Sequence, residues 1–314
     1  MDVIALGELL IDFTENGISE NGNPILEANP GGAPCNVLAM LQNLGKKTAF
    51  IGKVGKDSFG DYLEQTIKDC GIDTSNLIKD ESAHTTLAFV HTAKDGDRSF
   101  SFYRDPGADM LLREDEIDFK QIANASIFHF GTLSMTHDGV RQATKKAISY
   151  AKEQGLLLSF DPNYRPLLWD NPDTAKKMMA YGFAQCDILK IADDEILFFT
   201  EKDTIEEAII AFRKQYQPTL ICVTLGKEGS IVLYKDIKIT GKGIARPDTI
   251  ETTGAGDTYM ACVLYYVLEH GLACLNRALL EEMLHFASVA SALITTKKGA
   301  LKVMPTIQDI QENM

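Results

Sequence analysis

The segment 252–259, Thr-Thr-Gly-Ala-Gly-Asp-Thr-Tyr, places two glycines and a carboxylate at the start of an apolar helical stretch. Gly254, Ala255 and Gly256 allow several backbone N–H groups to point at the space in front of the helix N-terminus, where the helix dipole has its positive end. Such a space suits the binding of a phosphoryl group. Asp257 beside that point can accept the proton of an incoming hydroxyl, the task of the base in phosphoryl transfer. The alternative is that Asp257 only caps a buried helix behind a tight glycine turn.

Other common phosphate-binding motifs are missing from the sequence. Tyr259 stands where the dinucleotide-binding pattern G-x-G-x-x-G has its third glycine. No G-x-x-x-x-G-K-[ST] loop occurs, and neither HRD nor DFG is present. The sequence therefore excludes P-loop and protein-kinase machinery.

A second glycine-rich segment, 29–36, leads into a predicted helix. The pair Gly31 and Gly32 brings hydrogen-bonding groups to very close backbone range, and Asn36 stands at the helix mouth, which suits a polyol. Asp12, at the end of the first predicted strand, can accept hydrogen bonds from neighbouring hydroxyls. The alternative is a plain loop in which Asn36 is the helix N-cap.

Two more polar segments follow predicted strands, where ligands bind in open α/β sheets. In 223–230, Thr224 offers a hydroxyl, and Gly226 and Gly229 would let a nucleotide approach closely; the alternative is a plain strand–turn–strand. In 161–169, Asp, Asn and Arg side chains crowd together, which favours a site over an ordinary surface salt bridge.

Alternating strand and helix patterns must position these segments. Strands are predicted at 156–160, 187–192 and 220–224, with helices at 138–154 and from Thr204 onwards. Such alternation indicates βαβ units, hence a parallel sheet with helices on both faces. The main body of the chain is therefore predicted to be α/β.

Two β runs, Thr85–Thr92 and Arg98–Arg104, flank the turn sequence 94–97 and predict a hairpin. Antiparallel ribbon in a parallel α/β chain indicates a small lid, although an ordinary edge of the same sheet is the alternative. The N-terminal run Val3–Phe13 is strand-like, and 16–30 is rich in turn residues. We expect one domain over 1–314, with the lid formed by parts of 10–30 and 84–105.

Composition narrows the classes of partner. The 314 residues include 31 Lys or Arg against 44 Asp or Glu, for a net charge of −13. A nucleic-acid backbone or an anionic membrane would repel this surface, so small-molecule chemistry is favoured. The 6 cysteines form no CxxC pair, and the N-terminus lacks the basic start of a signal peptide, which predicts a cytoplasmic protein with reduced thiols.

Taken in order, these segments resemble the signatures of the ribokinase-like (PfkB) family of carbohydrate kinases. Segment 31–36, running on through 44–60, resembles the N-terminal signature, and 251–257 resembles the C-terminal one. Segments 102–112 and 128–134 are similar to fructokinases within the family. The resemblance implies a three-layer α/β sandwich with a mostly parallel central sheet and a small β lid. It also implies phosphorylation of D-fructose at the 6-hydroxyl with MgATP.

The same resemblance implies roles for individual residues. Asp257 is the expected base, and Gly254, Ala255 and Gly256 supply the N–H groups of the anion hole. The expected sugar ligands are Asp12, Gly31, Gly32, Asn36, Arg104, Asn163 and Arg165. The expected nucleotide ligands are Lys190, Thr224, Gly226, Gly229 and Ser288. The expected metal positions are Glu251 and Thr253 for potassium, and Asp193 and Glu195 for magnesium through water.

The sequence departs from the family pattern at three of these places. Glu251 stands where the family often has an aspartate that helps to hold potassium. Lys190 to Asp193 stand at the family's NxxE element, and Ser288 replaces an asparagine near the adenine pocket. Two other functions stay open: a 2-keto-3-deoxygluconate kinase, in which Arg104 and Arg165 clamp a carboxylate, and a non-catalytic sugar-binding member. A homodimer joined through the β lid is also expected.

Overall fold

The computed structural model describes residues 1–92 and 98–314. The strands are β1 (Val3–Leu6), β2 (Leu10–Ile18), β3 (Pro24–Gly31), β4 (Thr48–Gly55), β5 (Asp73–Asp80), β6 (Leu87–Thr92), β7 (Arg98–Tyr103), β8 (Ile127–Phe130), β9 (Leu157–Phe160), β10 (Ile188–Ala192), β11 (Leu220–Thr224), β12 (Gly229–Tyr234) and β13 (Ile237–Lys242). The α-helices are α1 (Ala33–Asn43), α2 (Ser58–Asp69), α3 (Phe119–Ala123), α4 (Asp138–Glu153), α5 (Pro172–Gln185), α6 (Asp193–Thr200), α7 (Ile205–Gln215), α8 (Ala255–His270), α9 (Arg277–Ile294) and α10 (Ile307–Glu312).

A large sheet forms the centre of the molecule, with strand order β13-β12-β11-β10-β9-β8-β1-β4-β5. Its strands from β11 to β5 are parallel, while β12 and β13 are added antiparallel at one edge. The predicted strands at 156–160, 187–192 and 220–224 correspond to β9, β10 and β11 within one residue at each end. The predicted α/β architecture is confirmed.

The central strand β1 shows why the sheet is covered on both faces. Val3 and Ala5 belong to one apolar core, which they share with residues of α1, α8 and α9. Ile4 and Leu6 belong to a second core, with residues of α4, α5 and α7. Because neighbouring residues of a strand point to opposite faces, an unbroken apolar run supplies both cores. The result is three layers, helix–sheet–helix.

A small second sheet has the order β3-β2-β6-β7, so the β runs at 85–104 are not an edge of the large sheet. The turn of the predicted hairpin, 94–97, lies outside the described residues. Parts of 10–30 are predicted to belong to a small β element, and β2 and β3 lie there; despite the many turn residues of 16–30, the chain reverses only between Ile18 and Pro24. Pairing of β2 with β6 on its other side outweighs the turn-forming composition.

The start of α1 also differs from the prediction. The helix begins at Ala33, and Gly32 is its N-cap with φ of 129°, so Asn36 lies inside the first turn rather than capping it. A Cβ at position 32 would lie 2.4 Å from the Glu8 carbonyl oxygen, so glycine is required there.

Within the described residues, no helix has both the length and the apolar character needed to cross a lipid bilayer.

Lys53 is a buried cation that ties the large sheet to the chain returning from the small sheet. Its side chain is 1% exposed, and its ammonium group lies 3.0 Å from Asp80 and 2.7 Å from Glu116. It also donates to the Leu111 carbonyl. Burial alone would raise the pKa of Asp80, but hydrogen bonds from Ser82 and Lys53 hold it well below its usual value.

We expect Lys53→Met to lower the free energy of unfolding by about 3 kcal/mol, because Asp80 loses its cation and Glu116 keeps only the exposed Arg113. Denaturant unfolding followed by circular dichroism measures the change. Lys56→Met is the matched control, since the Lys56–Glu81 pair is exposed on both sides and its loss should leave stability unchanged. Equal stability of the two variants would contradict the assignment of Lys53 as a structural tie.

Candidate active site

A cleft of about 580 Å³ lies between the small sheet and the carboxyl ends of the large-sheet strands. One wall comes from β2, β3, β6 and β7 through Asp12, Asn29, Val90 and Phe102. The other wall comes from segments that follow β9, β10 and β13, together with the first turns of α1 and α8. The fold therefore brings three of the four polar segments to one cleft, namely 29–36, 161–169 and 252–259, whereas 223–230 contributes none of its described lining residues.

Asp257 is fixed at the start of α8 by a side chain from α1. Asn36 Nδ2 donates to Asp257 Oδ2 over 2.8 Å, although 221 residues separate them. Gly254 is the N-cap of α8 in the left-handed region, with φ of 78°. Asn36 is one of the residues that line the cleft, and its Oδ1 is buried without a hydrogen-bond partner among the described residues.

The protein around Asp257 keeps its carboxyl easier to protonate than an ordinary aspartate. Burial raises the pKa of Asp257, and the hydrogen bond from Asn36 and the positive charges of Lys190 and Arg165 offset this rise only in part. A carboxylate with a raised pKa at the N-terminus of a helix is well matched to proton abstraction. Of the three predicted anion-hole residues, Gly254 and Gly256 line the cleft, whereas the Ala255 N–H donates to the Thr252 carbonyl.

Lys190 enters the cleft beside the same helix start. Its ammonium nitrogen lies 3.2 and 3.1 Å from the two carboxylate oxygens of Asp161, which directly follows β9. A Cβ at position 256 would lie 3.2 Å from this nitrogen, so Gly256 lets the amine approach the first turn of α8. Although burial alone would lower the pKa of Lys190, the carboxylates of Asp161, Glu195 and Asp257 raise it.

The acidic residues at the start of α6 divide into two kinds. Glu195 lines the cleft, but its Oε1 accepts the Tyr164 N–H over 2.7 Å and its Oε2 accepts the Ala192 N–H over 2.8 Å. Asp194 is exposed and also lines the cleft, whereas Asp193 is not among the described lining residues. Of the predicted magnesium pair, only Glu195 therefore faces the cleft, with both oxygens already bonded to backbone.

The small-sheet wall presents Asp12 beside a glycine. A Cβ at Gly31 would lie 2.4 Å from Asp12 Oδ2, so the carboxylate needs the missing side chain. Burial raises the pKa of Asp12 to about 7, with Arg165 opposing the rise and Glu251 and Asp257 adding to it.

Asn163 and Arg165 line the opposite wall of the cleft, and their role as sugar ligands stays a prediction. Arg165 is exposed, and its guanidinium group donates to the Tyr164 carbonyl. The guanidinium is therefore held at the rim of the cleft by a local backbone contact.

Arg104, the other predicted arginine ligand, is not among the described residues that line the cleft. Its guanidinium group is buried and donates to Asp109 over 2.8 Å, to Thr136 over 3.0 Å and to the Leu133 carbonyl over 3.1 Å. Asp109 also accepts from Thr86. Arg104 is thus engaged in an internal network, and a direct contact with substrate stays a prediction.

The predicted nucleotide residues other than Lys190 lie beyond the described cleft. These are Thr224, Gly226, Gly229 and Ser288. Gly229 has a packing reason to be glycine, because a Cβ there would lie 2.1 Å from the Gly241 carbonyl oxygen of β13. Gly226, with φ of 53°, faces open space, and Ser288 is buried in α9. Their role in nucleotide binding stays a prediction.

Glu251, predicted to help hold potassium, joins two loops of the site. Its carboxylate accepts from the Thr253 hydroxyl and from the Gly299 N–H. Thr253 lines the cleft with it. The glutamate side chain, which is longer than the aspartate often found at this position in the family, therefore joins the two loops by accepting a hydrogen bond from each of them.

The sequence analysis missed Glu8 as a site residue, and it placed Asp161 in a candidate site segment without giving it a role of its own. Glu8 is buried at the wall of the cleft, where its Oε1 accepts the Ala33 N–H over 2.9 Å, and burial raises its pKa to about 7. Glu8 follows β1 by two residues and Asp161 follows β9 directly. The strand-end rule, which selected the segment that begins at Asp161, could also have found Glu8.

Comparison with known proteins agrees with this arrangement. The model of the pfkB family of carbohydrate kinases matches residues 1–307. Probable fructokinase-3 of Arabidopsis thaliana is 38% identical over 306 residues, covering 97% of this chain and 88% of the relative. Fructokinase-1 of Zea mays is 37% identical over 312 residues, covering 98% of this chain and 96% of the relative.

Solved structures with the same architecture include two bacterial fructokinases. The enzyme from Xylella fastidiosa with bound ATP superposes with a TM-score of 0.89 at 28% identity, covering 99% of this chain and 97% of that one. The enzyme from Vibrio cholerae O395 bound to fructose, ADP and calcium superposes with a TM-score of 0.88 at 29% identity. The superposition covers 99% of this chain and 98% of that one. The predicted resemblance is confirmed: the chain belongs to the pfkB family of carbohydrate kinases.

Proposed function

We propose that the protein transfers the γ-phosphoryl group of ATP to the 6-hydroxyl of D-fructose. The observation that carries the proposal is the carboxylate of Asp257, held by Asn36 at the N-terminus of α8 inside the cleft. The fructokinase relatives and the ATP- and fructose-bound neighbours support the substrates.

The geometry supports the following steps. The sugar lies against the small-sheet wall, where Asp12 and Gly32 offer hydroxyl partners and Asn36 lines the cleft beside them. Asp257 accepts the proton of the 6-hydroxyl while that oxygen bonds to the γ-phosphorus and the bond to the ADP oxygen breaks. Backbone N–H groups at the start of α8 stabilise the charge on the phosphoryl oxygens. Because Asn36 binds Asp257 Oδ2, the other oxygen is available for the proton.

The acidic start of α6 fits a magnesium ion that retains several waters. Asp194 would hold it from the exposed side, and Glu195 would act through water because backbone N–H groups occupy both of its oxygens. When bound, the ion neutralises phosphate charge. Potassium at Glu251 and Thr253 stays a prediction, to be tested by assays with and without that ion.

The arginine contacts favour fructose over 2-keto-3-deoxygluconate. The two-arginine clamp considered for the keto acid needs both guanidinium groups, but Asp109 already pairs with Arg104. Arg165 is exposed and needs no buried anion. A neutral sugar therefore suits the site, because the buried arginine is neutralised by the protein itself.

The test of the function is ADP release with MgATP across D-fructose, 2-keto-3-deoxygluconate, ribose and adenosine, with and without potassium. We expect turnover on fructose. Preference for the keto acid would overturn the substrate but not the chemistry. Sugar binding without ADP release from any substrate would instead support the non-catalytic alternative.

Asp257→Asn should lower kcat by ~10²- to 10⁴-fold, the usual contribution of a general base, with ATP binding retained. Steady-state kinetics and calorimetric titration with ATP give the two values. Asp248→Asn is the control, because Asp248 is an exposed carboxylate paired with Arg246. Turnover of Asp257→Asn at the wild-type rate would contradict the proposed base.

Activity should fall as the pH drops below about 7. The pKa values of Asp12 and Asp257 are both raised, so each carboxyl gains a proton at a higher pH than an ordinary aspartate and loses its capacity to accept from a hydroxyl. The profile of log kcat/KM against pH should approach a slope of two in acid. In Asp12→Asn that slope should fall to one, and an unchanged slope would exclude Asp12 from the titration.

We further propose a homodimer formed through the small sheet. Exposed apolar side chains gather on its strands, namely Ile18, Ile25, Leu26 and Tyr103. Ile18→Lys combined with Ile25→Lys should shift the mass measured by light scattering from dimer to monomer. Ile210→Lys, at an equally exposed isoleucine of α7, should not. A monomeric wild-type protein would contradict the proposal.

A cytoplasmic location stays a prediction based on the cysteine pattern. None of the described cysteines is in a disulfide.

A further inference from the structure

We propose that Lys190 is a catalytic residue whose ammonium group binds the phosphoryl group during transfer, while Asp161 acts as the positioning residue that aims it. This role rests on the proposed function. It adds a positively charged hydrogen-bond donor to the helix N–H groups that stabilise the phosphoryl charge.

The first argument is location. Lys190 lies within β10, and its side chain is only 8% exposed, yet it lines the cleft. The 3.2 Å separation between its nitrogen and a Cβ built on Gly256 places the amine against the residue that precedes Asp257. The base marks where the reacting hydroxyl must be. Lys190 is therefore beside the transferred group rather than beside the distant end of the nucleotide.

The second argument is the way in which the amine is held. Asp161 comes from the adjacent strand β9, is 3% exposed, and lies within 3.2 Å of Lys190 through both oxygens. Its Oδ2 has no well-aligned hydrogen bond among the described residues. A buried ion pair with an imperfect hydrogen-bond complement contributes little to stability. What it does provide is a fixed direction for the ammonium group, whose remaining N–H donors can bind a ligand.

The third argument is charge. Asp161, Glu195 and Asp257 surround this one ammonium group, and their fields keep it protonated throughout the neutral range. As the 6-oxygen bonds to the γ-phosphorus and the ADP oxygen departs, negative charge spreads over the three equatorial oxygens. Lys190 donates to one of them, Asp257 takes the hydroxyl proton, and ADP carries away the electron pair of the broken bond. A preorganised cation in a site of low dielectric stabilises that charge strongly.

Lys190→Met removes the charge at similar side-chain length. We expect kcat to fall by ~10²- to 10³-fold, with dissociation constants for ATP and fructose within ~3-fold of wild type. Lys190→Arg should recover part of the loss. Lys152→Met, at an exposed lysine of α4, is the control and should match wild type.

A second readout does not depend on turnover. ADP, magnesium and aluminium fluoride mimic the transferred phosphoryl group, and calorimetry in the presence of fructose measures their affinity. We expect wild type to bind aluminium fluoride tightly with ADP, and Lys190→Met to lose most of that gain while binding ADP alone normally. Asp161→Asn should produce a smaller loss, of about tenfold in kcat, and the double variant should be no worse than Lys190→Met.

The outcomes separate the two proposals. If wild type phosphorylates fructose and Lys190→Met does so within ~3-fold, Lys190 is not catalytic although the sugar kinase stands. If Lys190→Met weakens ATP binding as much as it lowers kcat, the lysine contributes to binding of ATP before the reaction rather than only to the transition state, and the proposal is overturned. If wild type phosphorylates no sugar, the proposed function fails and the role of Lys190 fails with it.

Discussion

The hydrogen bond between Asn36 and Asp257 is the contact on which the rest of the site depends. It joins the first turns of α1 and α8, two helices whose N-termini meet at the carboxyl edge of the large sheet. Each helix is anchored separately behind that contact. Glu8 binds the start of α1 through the Ala33 N–H, and Gly254 closes the first turn of α8 by accepting from Thr258. Burial of the intervening apolar faces in one shared core then fixes the distance between them.

Acidic groups dominate the cleft built around this contact. Among the described lining residues the carboxylates are Glu8, Asp12, Asp194, Glu195, Glu251 and Asp257, and the cations are Arg165 and Lys190. In a chain of net charge −13, such a cleft repels a bare nucleotide, so a polyphosphate has to arrive with its own cation. Burial is the main cause of the raised pKa values of Glu8, Asp12 and Asp257, and neighbouring negative charge adds to it, because both favour the neutral form.

Much of the fold could be predicted from the sequence where a single interaction dominates. The strands β9, β10 and β11 are short apolar runs bounded by polar residues, and burial on both faces permits no other solution. In contrast, β2 and β3 contain Asn, Gly and Pro residues typical of turns. They become strands because β6 pairs with β2 from the opposite side, a long-range effect that local composition does not encode.

The site divides in the same way. Asp257, Asn36 and Lys190 could be located from motifs because helix and strand ends fix them. Arg104 stands in the family-like segment after the small sheet, but the sequence alone could not reveal that Asp109 binds it. Nor could spacing show that backbone N–H groups occupy both oxygens of Glu195. Such pairings depend on side-chain directions that only the folded chain determines.

The Arg104–Asp109 pair has a consequence for how this scaffold can change over evolution. Removing Asp109 would leave the guanidinium charge of Arg104 uncompensated behind Leu133, a residue of the cleft wall, which is a first step towards accepting an acidic sugar. That step would also leave a cation buried without its partner and detach Thr86, at considerable cost to folding. An enzyme that carries this pair can therefore evolve to accept sugar acids only after other substitutions have raised its stability. The stability of the fold thus limits which substrates the enzyme can come to use.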